Sequence, residues 1–247
     1  MSASERPERP SERRGTARTA VVWEALRPVL DAGAGALDVL DIGGGTGGFA
    51  VRVAELGHRV TVVDPSPDAL AALARRARER GVEVAGQQGD LGDLLDVVGA
   101  GRADVVLCHG VLEVVDDPAA ALARIREVLR PGGALSLLVA QRHAAVVARA
   151  MAGHFAQALA LLDDTAPSGR SGRSGRRFTR DELTDLLAAA GLEATAVHGV
   201  RVFADLVPSS LLDLEAGATA ALVELEHAVS TRPEYLPLAT QLHVLAG

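Results

Sequence analysis

A short apolar run, Ala36-Leu37-Asp38-Val39-Leu40-Asp41-Ile42, passes without a break into Gly43-Gly44-Gly45-Thr46-Gly47-Gly48. Such a run reads as a strand, and a helix is expected from roughly Gly47 to Leu56. A strand that turns into a helix through glycines exposes backbone N–H groups closely to a ligand, because no Cβ stands in the way. The rhythm then repeats, with strand Arg59 to Val63, helix Pro67 to Arg80, strand Val82 to Ala85 and a short helix near Leu91 to Val98. Strand Asp104 to Cys108, helix Pro118 to Leu129 and strand Ala134 to Val139 follow. Strands alternating with helices of about 10 to 15 residues imply a parallel sheet covered by helices on both faces. Pro131-Gly132-Gly133 reads as the turn that stops one helix and starts the next strand.

The flanks are less regular. Residues 1 to 15 are Ser, Glu, Pro and Arg with too little apolar surface to offset the entropy of ordering, so a disordered tail is expected there. Ala20, Val21, Trp23, Leu26, Val29 and Leu30 then recur at helical spacing. After Ala140 the sequence predicts a long Ala-rich helix from Ala144 to Leu162 and a flexible Ser/Gly/Arg insert over 166–177. A helix from Thr179 to Ala190, capped by Thr179 or Asp181, comes next. A strand near Ala194 to Phe203, a helix about Leu211 to Val229 and a strand Ala239 to Leu245 bring the count to seven strands. Residues 16–247 are expected to form a single domain.

Composition narrows the chemistry. Hydrophobic residues make up 48% of the 247 but aromatics only 2%, so Ala, Val and Leu must build the core. All 25 basic residues are Arg, which excludes any mechanism that needs a lysine, including Schiff-base, short-chain dehydrogenase and P-loop chemistry. A net charge of −7 gives no global attraction to nucleic acid and leaves such a partner to a local basic patch. The single cysteine, Cys108, excludes an internal disulfide and a thiolate zinc cluster. With no signal-like or membrane-spanning apolar run, a soluble cytoplasmic protein is expected.

Gly43, Gly45 and Gly47 suit a cofactor with a charged tail, and Gly43, Gly45 and Gly48 equally match a dinucleotide fingerprint. Asp64, at the end of the second strand, can accept hydrogen bonds from two ribose hydroxyls in either case. Beyond the third strand, Gln88 and Gly89 are candidates for contacts near an adenine. Asp90 either assists them or caps the helix that begins near Leu91.

Val39 to Phe49, Asp64, the fourth strand and Leu129-Arg130-Pro131-Gly132-Gly133 together resemble the class I S-adenosylmethionine-dependent methyltransferases. The resemblance implies a Rossmann-like seven-stranded α/β sheet, with a helical insert before the last strands. The stretch from Cys108 to Pro118 is narrower and is similar to the tRNA 5-carboxymethoxyuridine methyltransferases. Arg18 with Trp23, His143, Ala152-Gly153-His154-Phe155, Gly199 to Phe203, Glu224-Leu225-Glu226, Tyr235 and His243-Val244 extend that likeness into the C-terminal half. The resemblance implies S-adenosyl-L-methionine as cofactor, held by Arg18, Gly43, Gly44, Asp64, Gln88, Gly89 and His109; Gly45 of the turn and Asp90 join the candidate set from their positions, and His109 could instead contact the substrate or simply end the strand. Arg18 would pair with the methionine carboxylate.

The implied substrate is the carboxylate of a wobble uridine, and tRNA the implied partner. An anionic acceptor needs a cation or amide donors to position it rather than a general base. Arg201 is the first candidate for that task, with His143 and Arg142 behind it; a structural salt bridge is the alternative for Arg201. Cys108 reads as a small buried strand residue rather than a nucleophile. Where the family often carries lysines and aromatics, this chain has Arg170, Arg173, Arg176, Arg177 and Arg180 among Ser and Gly, either a phosphate grip or a solvated linker. Phe155, Phe178, Phe203 and Tyr235 are the few rings that could stack on a base. A small-molecule hydroxyl or carboxyl acceptor and a non-catalytic cofactor-binding protein are the competing readings.

Overall fold

The computed structural model describes residues 10–33, 35–162, 175–208, 210, 212 and 217–247, with side chains from residue 19 onward. Helix α1 (Pro10–Asp31) leads into β1 (Asp38–Ile42), α2 (Ala50–Glu55), β2 (Arg59–Asp64), α3 (Pro67–Arg80) and β3 (Ala85–Gln88). Next come α4 (Leu94–Val98), β4 (Ala103–His109), α5 (Pro118–Val128), β5 (Leu129–Ala140), α6 (Arg142–Met151) and α7 (Phe155–Leu162). The chain closes with α8 (Arg180–Ala189), β6 (Ala194–Val200), α9 (Ala218–Ser230), a 3-10 turn at Leu236–Leu238 and β7 (Gln241–Ala246).

The seven strands form one sheet in the order β3-β2-β1-β4-β5-β7-β6. Alternation along the central strands separates two cores. On β4, Val106 and Cys108 join Leu40 and Ile42 against α5, whereas Val105 and Leu107 join Val39 and Val62 against α1, α2 and α3. Helices therefore cover both faces, as the repeating pattern requires. Local signals set the helix ends. Ser66 accepts the Ala69 N–H at the start of α3, and Asp117 accepts that of Ala120 at the start of α5. Thr179 and Glu182 close a reciprocal capping box on α8.

Several expectations are corrected. The sheet is mixed, since β7 runs antiparallel between β5 and β6. The third strand lies three residues later than Val82, because the Val82 N–H is used to close the end of α3 on the Ala77 carbonyl. As an edge strand, β3 needs no apolar run, and all four of its residues are exposed. Pro131-Gly132-Gly133 lies inside the irregular start of β5 rather than forming a separate turn. The long helix divides into α6 and α7 at Ala152-Gly153-His154, where Gly153 takes φ +76°. Helix α1 begins at Pro10, inside the expected tail, and residues 1–9 lie outside the described residues. Of the expected insert, 166–174 also lie outside, while the Arg176 N–H donates to the Glu113 carbonyl at 2.8 Å. Of the late helix, Ser210 and Leu212 are helical and a regular stretch runs over Ala218–Ser230 after Gly217 at φ +91°, while residues 211 and 213–216 are outside the described set.

No helix among the described residues is long and apolar enough to cross a membrane. At the amino edge of the sheet, Asp38 binds Arg59 at 2.6 Å and Arg130 at 2.8 Å, and Arg130 reaches Asp104 at 2.7 Å, tying four strands together. The hydrogen bond from Arg59, aided by Arg130 against the cost of burial, holds the Asp38 carboxyl down at about 2, from 3.8. A lowered acid contributes stability above its unfolded pKa and loses it as pH falls through the folded one. Asp38→Asn is therefore expected to lower stability to urea at pH 7, with the gap from the parent protein narrowing between pH 4 and pH 2; a constant gap would remove this role.

Candidate functional site

Because β1 to β5 are parallel and β7 reverses between β5 and β6, the carboxyl ends of β1, β2, β3, β4, β5 and β6 share one edge of the sheet. Asp64, Gln88 and His109 are the last residues of their strands, and the glycine turn, Gln141 and Arg201 directly follow theirs. Ligands of open α/β sheets bind at this edge. A cavity of about 740 Å³ is at the opposite edge around Asp38, Arg59 and Ala103, away from every group with candidate chemistry.

The turn is held by specific bonds. The Gly43 N–H donates to the Val63 carbonyl at 2.7 Å and that of Gly47 to Gly44 at 2.9 Å. The Gly45 N–H donates to Asp64 Oδ2 at 2.9 Å, and the Ser66 N–H to Asp64 Oδ1 at 2.9 Å. One carboxylate thus joins the β1 turn to the end of β2. Gly43 has φ +65°, and a Cβ there would lie 2.5 Å from Val111 Cγ2; a Cβ on Gly44 would lie 2.5 Å from Asp41 Oδ2. The cradle is closed to any side chain on its floor.

Asp41 was not among the site residues expected from sequence. It is 3% exposed beneath the turn, where burial and then the charge of Asp64 push its carboxyl up to about 7. Its signal was an acidic residue in an otherwise apolar strand segment. Beyond β3, the Gln88 amide donates to the Pro65 carbonyl at 3.4 Å, and the Gly89 N–H donates to the Asp64 carbonyl at 3.3 Å. The Asp90 carboxylate accepts the Gly92 N–H at 2.5 Å, and Asp93 occupies the position that precedes α4. A cavity of about 580 Å³ opens beside them, walled by Ile42, Gly43, Val63, Asp90, Leu91 and Val111. Besides Asp90, Asp116, Asp117 and Arg124 also line this cavity, and its otherwise apolar walls suit a flat heteroaromatic ring.

His109 ends β4 with its ring edge on Phe49, the centroids 4.8 Å apart, and Phe49 packs in turn on Trp23 of α1 at 6.1 Å. Burial pushes the His109 imidazole down to about 4, so it is neutral at pH 7. Its Nε2 contacts Ser136 Oγ at 2.9 Å. Arg18 lies in α1, but its side chain is outside the described set.

The acceptor candidates fare differently. Arg201 forms an ion pair with Asp205 and donates to Gln241 Oε1 at 3.3 Å, so its charge is already offset. It holds φ +60°, a strained value for arginine. The buried Glu226 carboxylate fixes that bend by accepting the N–H groups of Val202, Phe203 and Ala204 at 2.7 to 2.9 Å. Arg142 is bidentate to Glu182 at 2.8 and 2.9 Å, a tie between α6 and α8. His143 is exposed on the first turn of α6. Cys108 is fully buried and its thiol is pushed far up, chiefly by burial, which removes it as a nucleophile. Phe178 is core, Phe203 packs on Tyr235, and Phe155 is 71% exposed. Arg170 and Arg173 lie outside the described residues.

Comparison with known proteins gives an independent view. The family model described as a methyltransferase domain matches residues 40–135. The tRNA 5-carboxymethoxyuridine methyltransferase of Escherichia coli (strain K12) is 32% identical, the match covering 94% of this chain and 88% of that protein. A ubiquinone biosynthesis O-methyltransferase of Xanthomonas axonopodis pv. citri is 34% identical over 66% of this chain and 65% of its own length. Among solved structures, the magnesium protoporphyrin IX methyltransferase of Synechocystis PCC 6803, with bound SAH, has the same fold. Its TM-score is 0.63 at 15% identity, covering 99% of this chain and 89% of that one.

Two outcomes are expected. Asp64→Ala should weaken S-adenosylmethionine binding by roughly tenfold or more, since it removes the anchor of the glycine turn; equal affinity by calorimetry would displace the site. For Asp41, a raised acid pKa costs stability progressively as pH rises from 3.8 through about 7. Asp41→Asn should therefore gain thermal stability over the ligand-free parent at pH 8 and lose most of that gain at pH 4.

Proposed function

The chain belongs to the class I S-adenosylmethionine-dependent methyltransferases, and on that premise we propose that its acceptor is the carboxylate of 5-carboxymethoxyuridine at the tRNA wobble position. The likeness to the E. coli enzyme carries this reading, because it spans 94% of the chain and so includes the C-terminal half, beyond the cofactor motifs. Cofactor motifs alone would not distinguish one acceptor from another.

The site fits the cofactor. Asp64 would accept the ribose hydroxyls, Gly43 and Gly44 would let its amino-acid end approach backbone, and Gln88, Gly89 and Asp90 would flank the adenine. Arg18 and His109 complete the proposed set. When bound, S-adenosylmethionine supplies an electrophilic methyl group on a sulfonium. The protein's task is then to place a nucleophile in line and exclude water. A carboxylate acceptor is already anionic, which accords with a neutral His109 and with the burial of Cys108. Arg201, tied to Asp205, would contribute through its remaining N–H groups rather than as a free cation.

A second reading, a small-molecule hydroxyl or carboxyl acceptor, is favoured by the net charge of −7 and by the likeness to ubiquinone biosynthesis O-methyltransferases. The two separate in one experiment. Purified protein with labelled S-adenosylmethionine is expected to transfer label to tRNA carrying 5-carboxymethoxyuridine, giving a base-labile methyl ester in nucleoside mass spectra. Label on small phenols or acids, with none on that tRNA, would establish the second reading instead.

A further inference from the structure

Across the sheet face beneath α1 runs a row of polar side chains where a covered sheet would ordinarily place apolar ones. His109 on β4, Ser136 on β5 and His243 on β7 are linked, Nε2 of His109 lying 2.9 Å from Ser136 Oγ and Nε2 of His243 lying 2.8 Å from the same oxygen. His198 on β6 stacks on His243 with centroids 5.6 Å apart. Ser136 and His243 are fully buried. Nδ1 of His109, His243 and His198 is in each case buried without a hydrogen-bond partner in the protein. Burial lowers the proton affinity of all three rings, so each is a neutral imidazole.

One hydroxyl proton between two neutral imidazoles leaves two arrangements. Ser136 donates to one ring and accepts from the other, and each ring then carries its proton on the nitrogen that this choice leaves. If Ser136 donates to His243, the Nδ1–H of His243 is a donor with no partner, enclosed where no ligand can reach. If Ser136 donates to His109, His243 keeps its proton on Nε2 and only a bare Nδ1 lone pair remains. Buried orphan N–H groups are rarer than orphan acceptors. The second arrangement moves the unpaired donor to His109, the one ring of the row that stands at a strand end, packed on Phe49 at the carboxyl edge of the sheet and, unlike His243, only partly buried as a residue.

We propose that Ser136 and His243 are positioning residues that fix the tautomer of His109, so that it presents a neutral Nδ1–H donor to a carboxylate in the cleft. This rests on the placement of His109 at the cofactor site. The carboxylate belongs either to the amino-acid end of the cofactor or to the acceptor. A neutral donor orients such a group without forming the tight ion pair that would blunt an attacking oxygen.

The test uses the full chain labelled with 15N-histidine. Long-range 1H–15N spectra in the presence of S-adenosylhomocysteine should show His109 protonated on Nδ1 and His243 on Nε2. Ser136→Ala should turn His109 to a mixture of tautomers, and Ser136→Thr should restore it. His243→Leu should repeat the loss and His243→Gln, which keeps a donor, should spare it; this pair serves if the serine variant fails to fold. Calorimetry then finds the source of the carboxylate. Loss of S-adenosylhomocysteine affinity by about tenfold in Ser136→Ala, with 5′-methylthioadenosine unaffected, assigns the cofactor. Unchanged affinity for both, with a raised KM for the acceptor and an unchanged kcat, assigns the acceptor. An Nε2–H tautomer for His109 in the parent protein, or a Ser136→Ala variant that alters neither tautomer nor binding, overturns the proposal. His109 resonances that ignore bound S-adenosylhomocysteine and the acceptor alike overturn it through its premise, the placement of His109, while leaving the methyltransferase assignment intact.

Discussion

A sheet covered on both faces leaves its strands nowhere to put polar side chains except at their ends, and the rest of this molecule follows from that constraint. On β4, Val105, Val106, Leu107 and Cys108 are all buried against helices, and polar side chains stand only at its two ends, Asp104 near the amino end and His109 where the strand runs out. Parallel neighbours end at the same edge, so the glycine turn, Asp64 and Gln88 collect beside it without any of them being close in sequence. The location of the site is a consequence of topology before it is a matter of particular residues.

Within that edge, two carboxylates share the work of shaping the turn. Asp64 is satisfied by backbone N–H groups on either side, whereas Asp41 lies beneath Gly44 with its charge opposed by burial and by Asp64. A ligand that brought positive charge to the turn would offset both of those costs and so stabilise the site it occupied. The Arg201 bend follows similar logic. Three N–H groups on the buried Glu226 carboxylate hold a strained backbone that the local sequence would not adopt by itself.

The row of His109, Ser136 and His243 is the exception to the apolar face, and it lies on the strands between the cofactor edge and the C-terminal half. Buried polar chains of this kind specify arrangement more than they add stability, because each member must find a partner of the right sense. Its members come from three strands, and no local pattern in any of them announces the others.

What the sequence determined by itself was whatever depends on neighbours along the chain. Ser66, Asp117 and Thr179 mark helix starts, because a cap acts within three residues. Runs such as Val105 to Cys108 mark buried strands, and the glycines after Ile42 place the turn. The weak β3 and the break at Gly153 were misread, since an edge strand needs no apolar run and one positive φ is enough to divide a helix. Tertiary structure alone decided what depends on pairing across the sheet. Insertion of β7, antiparallel, between β5 and β6 brings His243 to Ser136 across 107 residues. The same closure sets Arg201 beside Gln241, while the bend held by Glu226 brings it to Asp205 four residues on, so a cation that the sequence offered to the acceptor is already paired. Strand order and register arise from contacts between distant segments, and a residue's identity does not record which strand will lie beside it.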